Sequence, residues 1–260
     1  MKKQDSTISG QLTLADFCSD IGNYVVQTSE LIFTEQKLLS ARAFKLIRLA
    51  IMQIKPGDQD FKAYYIPIKE VAELLNVDVE NLYRRAYPNE KDNKTQVIEV
   101  ITNEIMDSYV TIRDEAGNFA KIHWGNCYYI KGKGVFIKLD KDLKPYLLGI
   151  QNIYGNTKYG FFEIKDMKSC YTGRVYEYII GRIATSPETS LNHHVIVSVE
   201  ELRKLTETEV TLKQFVQFRT KVLDVITREI NEYTSSRIKY STIKTGKTIT
   251  HIDFYIENIA

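Results

Sequence analysis

The residues best equipped for chemistry lie in one helical run, KQFVQFRTKVLDVITREINEY, residues 213 to 233. On a wheel of about 100° per residue, Phe215, Phe218, Val222, Leu223, Val225 and Ile226 share one arc, while Lys213, Gln214, Gln217, Thr220, Lys221, Asp224 and Arg228 take the opposite one. A glutamine amide donates and accepts side by side, so it matches adenine in a DNA major groove, and a lysine ammonium donates to guanine. Lys213, Gln214, Gln217 and Lys221 offer such groups within about three helical turns, and Arg228, further along, suits a phosphate. Arg219 falls inside the apolar arc, where it has two readings: a snorkelling contact to phosphate, or a stem laid over the core. After this run, residues 237 to 243 and 248 to 256 alternate as two strands around a Thr245-Gly246 turn, and Lys239, Lys244 and Lys247 surround that turn. Without the basic hairpin, a solvated charged helix face would be the simpler account. With it, helix and hairpin together suit base edges and backbone phosphates.

Other constellations fall short of catalysis. A DNA-nicking enzyme needs two histidines flanking a bulky residue to hold a metal, plus a nucleophilic tyrosine. Here His193 and His194 are adjacent, His123 and His251 are isolated, and 17 tyrosines single out no nucleophile. Gly246-Lys247-Thr248 has the ending of a phosphate-binding loop, but Ser241 stands where that loop requires glycine, and the context is a hairpin. Lys131-Gly132-Lys133-Gly134 reads as a turn whose lysines can meet phosphate. Cys18, Cys127 and Cys170 form no C-x-x-C pair, which argues against both a disulfide framework and a zinc site. No catalytic residue, metal or cofactor is expected.

A chain of 260 residues, 43% hydrophobic and 26% charged, has enough apolar material for one large or two small cores. It has no run of about 18 apolar residues and no apolar stretch behind its first lysines, so neither a membrane span nor a secretory signal is expected and the reading is cytoplasmic. The formal charge of +2 hides segregation. Residues 211 to 250 carry eight bases against three acids, residues 121 to 150 six against two, and residues 188 to 210 five acids against two bases. Two basic segments in a nearly neutral chain point to anionic contacts, of which nucleic acid is the commonest.

The elements that must position these residues occur in the same order twice. Thr34 is expected to cap a helix with Ile47, Ala50, Ile51 and Ile54 on its buried face, ending at Pro56-Gly57-Asp58. There follow a strand at 61 to 66, a short helix with Val71, Leu74 and Leu75, a turn at Asn76-Val77-Asp78, and a helical stretch broken at Pro88, whose better part is 92 to 108. Strands at 109 to 113, around 121 to 124 and at 135 to 139 finish the half, with a Gly117-Asn118 turn between the first two. In the second half a helix at 166 to 183 leads to a strand at 194 to 198. A helix capped by Ser198 and Glu201 comes next, then the run from Thr211 to Tyr233 with Thr211 and Gln214 as a second capping box, and then the hairpin. The order is that of a winged helix-turn-helix in tandem, an α+β fold. Its expected parts are a polar tail (1–27), a first winged-helix domain (28–150) and a second (151–260). In the first, Arg84, Arg85, Lys94, Gln96, Lys131 and Lys133 are the candidate DNA contacts.

The segments KQFVQFRTKVLDVITREINEYT and RIKYSTIKTGKTITHIDFYI resemble the second winged helix of the iteron-binding plasmid replication initiator (Rep) family. KLDKDLKPYLLGIQN and KSCYTGRVYEYI are similar to that family's domain junction and following helix, LIFTEQKLLSARAFKLIRLAIMQI resembles its opening helix, and VDVENLYRRAYPNEKDNKTQVIEVITNEI carries extra residues around Pro88. The resemblance implies a protein that binds direct repeats in double-stranded origin DNA as a monomer. It also implies repression of its own gene as a dimer on an inverted repeat, and recruitment of the host replication initiator and replicative helicase. Gln217, Arg219 and Lys221 match the family's DNA-reading helix. The first domain is then expected to serve dimerisation and DNA backbone contact, the second sequence-specific binding. A tandem winged-helix transcriptional repressor is the rival binding protein, and a rolling-circle nicking enzyme the rival of another class.

Overall fold

The computed structural model describes residues 23–150, 156–188 and 190–257; Cys18 and most of the polar tail lie outside them. The described chain begins with β1 (Tyr24–Thr28), α1 (Ser29–Phe33), β2 (Glu35–Gln36) and α2 (Ala41–Met52). Thr34 does not cap the long helix. It closes α1, donating to the Leu31 carbonyl at 2.7 Å, and Ser40 caps α2 by accepting from the Ala43 N–H. Both hydroxyl residues precede the apolar run, and Glu104, 64 residues away, favours Ser40 by accepting its hydroxyl at 2.7 Å.

The first half continues with β3 (Tyr64–Pro67), α3 (Ile68–Leu74), a turn through left-handed Asn76, α4 (Val79–Leu82) and α5 (Val97–Met106). Then come β4 (Tyr109–Arg113), β5 (Phe119–His123), β6 (Gly125–Ile130), β7 (Gly134–Leu139) and α6 (Lys144–Leu147). The second half has β8 (Asn156–Gly160), α7 (Phe161–Ile164), α8 (Cys170–Ala184), β9 (His193–Ser198) and α9 (Val199–Leu205). Helix α10, residues 215–233, leads to the hairpin of β10 (Arg237–Thr245) and β11 (Thr248–Glu257).

Each half holds a three-stranded antiparallel sheet of the same order, β3-β7-β6 and β9-β11-β10. The strand ahead of the short helix pairs with the hairpin's second arm, which therefore lies in the middle. That is a winged helix built twice. The strands expected around 121 to 124 and 135 to 139 are not partners: β5 pairs with β4 in a separate β2-β4-β5 sheet, and β7 pairs with β6, a strand the sequence reading lacks. Only Trp124 separates β5 from β6, so no run of turn residues marks the change of sheet. Gly125 allows it, since a Cβ there would lie 2.2 Å from the Lys138 carbonyl oxygen.

The two halves meet through their long helices. A Cβ on Gly173 of α8 would stand 2.5 Å from the Phe44 ring of α2, so glycine permits the close crossing. One turn on, Glu177 and Arg48, both fully buried, pair through Nε at 2.6 Å and Nη2 at 2.7 Å. The same carboxylate accepts from Gln27 Nε2 at 2.8 Å and from the Tyr159 hydroxyl. Burial, followed by the Glu177 charge, raises the Tyr159 hydroxyl well above the ordinary tyrosine value. Residues 24–27, assigned to the tail from sequence, belong to β1, which pairs with β8 across residue 150. Five-residue strands with partners about 130 positions away leave no local signal.

Candidate nucleic-acid interface

Helix α10 begins at Phe215, and its position is set by an arginine the sequence reading did not single out. Arg203 of α9 donates through Nη1 to the carbonyls of Thr208 and Leu212 and through Nη2 to that of Lys213, with its guanidinium 4.6 Å from the Phe218 ring centroid. The expected Thr211–Gln214 capping box does not form, because the helix starts three residues later, with Gln214 itself at the N-cap position and making no side-chain cap bond. The Ser198 box is half present. Ser198 accepts from the Glu201 N–H at 3.0 Å, but the Glu201 carboxylate accepts from the Tyr178 hydroxyl at 2.6 Å instead of returning to the cap.

The helix is not uniform. Phe215–Phe218 passes through a π-helical turn, Arg219–Leu223, into Asp224–Tyr233. One extra residue in that turn rotates everything upstream by on the order of 100° relative to an ideal α-helix. Phe218 lies in the core with Val222, Leu223, Ile226 and Ile230, as the wheel has it, whereas Arg219 moves out of the apolar arc into solvent. Lys213, Gln214, Gln217, Thr220, Lys221, Asp224 and Arg228 are exposed as the wheel anticipates. Asp224 accepts from the Tyr240 hydroxyl and so fastens the helix to β10. Burial, with that hydrogen bond, pushes Tyr240 up to about 12, and the nearby Arg219 charge opposes the shift. Asn231 closes a second link, donating to the Ile238 carbonyl at 2.9 Å and accepting its N–H at 2.8 Å.

Beyond Tyr240 the hairpin leaves the core, and residues 241 to 248 are all exposed. Gly246 adopts φ +62° at its tip, with Lys244 and Lys247 beside it. Lys239 is not part of this tip. It pairs with Tyr255 in the sheet and lies 3.8 Å from Glu257, five residues or about 16 Å of strand from Lys244.

In the first domain the candidate residues gather around two tyrosines. Arg84, Arg85 and Lys94 are exposed at the neck of a loop closed by Val97 N–H to Arg84 carbonyl and Ala86 N–H to Thr95 carbonyl bonds. Tyr83 receives the Gly132 N–H on its hydroxyl at 3.0 Å, and Lys131 Nζ lies 5.6 Å from its ring, so the β6-β7 turn with Lys131 and Lys133 docks beside that neck. Gln96 is half-buried and already committed: it starts α5 as its cap residue, and its amide oxygen accepts from the Tyr129 hydroxyl at 2.6 Å. Helix α5 and its C-cap expose Asn103 and Asp107, not cations, so the basic groups stand at the helix entrance and on the turn.

Among the described residues no group of three or more His, Cys, Asp or Glu could hold a metal ion, and no helix is long and apolar enough to cross a membrane. His194 is engaged by Asp253 at 3.0 Å, and burial raises the Cys127 thiol to about 12.

Two family models match the chain: initiator replication protein, WH1, over residues 24–180, and initiator Rep protein, WH2, over residues 198–256. The chain belongs to the initiator replication (Rep) protein family. The first match spans β1, β8 and most of α8, the elements that join the halves of this initiator. Among solved structures, the Rep chain has the fold of the Pi initiator protein, crystallised in complex with iteron DNA. The TM-score is 0.69 at 16% identity, covering 90% of this chain and 96% of that one. A selenomethionine derivative of domains 2 and 3 of RctB gives a TM-score of 0.43 at 9% identity, over 84% of this chain and 80% of that one, and carries no argument. No curated protein matches.

Proposed function

We propose that this initiator binds direct repeats of double-stranded origin DNA, with α10 in the major groove and the β10-β11 tip on the phosphate backbone. The observation that carries the reading is the exposed row of Lys213, Gln214, Gln217, Arg219 and Lys221 beside Lys244 and Lys247. Glutamine amides and cations at the start of a second helix suit base edges, and lysines on a wing tip suit phosphates. Arg228, Thr220 and Lys239 are secondary contacts in this reading. The first domain grips the backbone through Arg84, Arg85, Lys94, Lys131 and Lys133 and supports dimerisation. The iteron complex of the Pi initiator, the same fold, is consistent with this use of the surface. Repression of its own gene by a dimer, recruitment of the host initiator and helicase, and a cytoplasmic location complete the proposal.

The test is the DNA beside the gene. Several direct repeats of about two helical turns, each footprinted by the protein, support initiation, whereas a single protected inverted repeat would make it a repressor. Supercoiled origin DNA with pure protein and magnesium is expected to stay uncut, and a covalent tyrosine–DNA adduct would overturn the non-enzymatic reading.

A further inference from the structure

One side chain on the reading face of α10 has the wrong chemistry for a solvated helix and for hydrogen-bond readout. Val216, in the helix's first turn, is 61% exposed. The π-helical turn downstream of it leaves Val216 pointing outward, among Lys213, Gln217 and Lys221, which are also exposed. Thr220 stands one turn further on, and its hydroxyl proton is engaged: it donates to the Val216 carbonyl at 3.0 Å and approaches that of Gln217 at 3.3 Å. With its proton turned back onto the helix, the hydroxyl keeps only acceptor capacity, and the methyl is the apolar group Thr220 offers a ligand. Positions i and i+4 have Cβ atoms about 5–6 Å apart, so the valine and this methyl form a short apolar step inside an otherwise polar face.

In a major groove the only apolar feature on a base edge is the thymine C5-methyl, which side chains such as alanine and the threonine methyl contact directly. We propose that Val216 and the Thr220 methyl read thymine methyl groups in the segment engaged by α10. The segment is therefore recognised at A·T pairs, with thymine methyls against the apolar step and adenine edges available to Gln214 and Gln217. The inference rests on the DNA-reading role of α10 and deepens it from a class of partner to a kind of base pair. Each thymine methyl removed from water against this step adds about fourfold to affinity, by the transfer of one carbon group.

The test starts from duplexes selected by the full-length protein out of a randomised library. Each thymine of the recovered sequence is replaced singly by deoxyuridine, which removes the methyl and keeps every hydrogen-bonding group. Wild-type protein is expected to lose about fourfold affinity at one or two thymines in the segment protected by the second domain. Val216→Ser, which puts a polar group in place of the apolar one, should bind the thymine duplex correspondingly less well and no longer distinguish thymine from deoxyuridine at one of them. Thr220→Ser, which keeps the hydroxyl, should do the same at the other. Both positions are exposed, so neither variant threatens folding. If Val216→Ser keeps the full preference for thymine, the inference is wrong even though sequence was selected. If selection yields no preferred sequence, or Gln217→Ala binds the selected duplex as tightly as wild type, the reading role of α10 fails and takes the inference with it.

Discussion

Replacing Glu177 tests how the two winged helices are held together. The side chain is fully buried and accepts from Gln27, from two nitrogens of Arg48 and from Tyr159. Burial opposes the charge on Arg48, but the Glu177 carboxylate more than offsets it and raises the guanidinium above its usual value. Glu177→Gln keeps the volume, removes the charge and turns an amide donor toward donors, leaving a buried guanidinium unneutralised. Breaking such a pair from one side costs about 3–5 kcal/mol, out of a total of about 5–15 kcal/mol for a typical domain. The single tryptophan reports on the event: Trp124 is fully buried, with the Arg48 guanidinium 4.8 Å from its ring. Urea unfolding followed by its fluorescence should show Glu177→Gln and Arg48→Met each destabilised by several kcal/mol. The double variant Arg48→Met/Glu177→Gln should lose less than the sum of these two single changes by about 1–3 kcal/mol. Single effects below about 1 kcal/mol, or strict additivity, would refute the view that this pair is the junction's electrostatic centre.

Three further outcomes follow from the same geometry. The exposed cations of the two winged helices are consistent with about six to ten phosphate contacts, so affinity should fall by about 10³ to 10⁵ between about 50 and 200 mM salt, and a flat titration would mean these faces do not meet DNA. Inserting about five base pairs at the middle of the bound site turns one half-site to the opposite face, so affinity should drop toward that of a single winged helix; indifference would exclude groove contact by the first domain. Lys45 of α2 is buried, and burial lowers it from 10.5 to about 8 against the partial support of Asp166 and Glu229. Between those values the unfolded chain binds the proton that the folded chain releases, so this lysine's contribution to stability rises with pH through the window. Lys45→Met should stabilise the protein by about 1–3 kcal/mol at pH 7 and flatten that part of the profile, as thermal melts across pH will show.

Periodicity made α10 and the hairpin legible, because a buried arc and a 2-residue alternation are local properties of sequence. It misplaced Arg219 because the wheel assumes an ideal α-helix, whereas Arg219–Leu223 form a π-helical turn that no residue type in that segment announces. The order of elements revealed two winged helices and the β4-β5 hairpin around Gly117-Asn118, but that this hairpin belongs to a separate sheet, and that strand β6 follows it, stayed hidden, since only Trp124 stands between β5 and β6. Residues whose work is to hold the reading surface were invisible for another reason. Arg203, Tyr83 and Glu229 act through partners remote in sequence or on backbone groups: Glu229, for instance, accepts the Lys168 and Ser169 N–H groups and so fixes where α8 begins, later than the expected Asp166. Gln96 has the chemistry of a base contact and is spent on a cap, a distinction that only its bond with Tyr129 reveals.

The division of labour between helix and wing is tested most directly by titrating four proteins, wild type, Gln217→Ala, Lys221→Ala and the double variant Lys244→Ala/Lys247→Ala, against a selected duplex and a random one. Removing a base-reading side chain should cost about 1–3 kcal/mol on the selected duplex and little on the random one, so Gln217→Ala and Lys221→Ala should chiefly reduce discrimination. The wing variant should weaken both duplexes alike and reduce the salt slope by about one for each phosphate it no longer neutralises. If helix and wing variants shift the two duplexes in the same ratio, α10 does not read sequence and the account of this surface is contradicted.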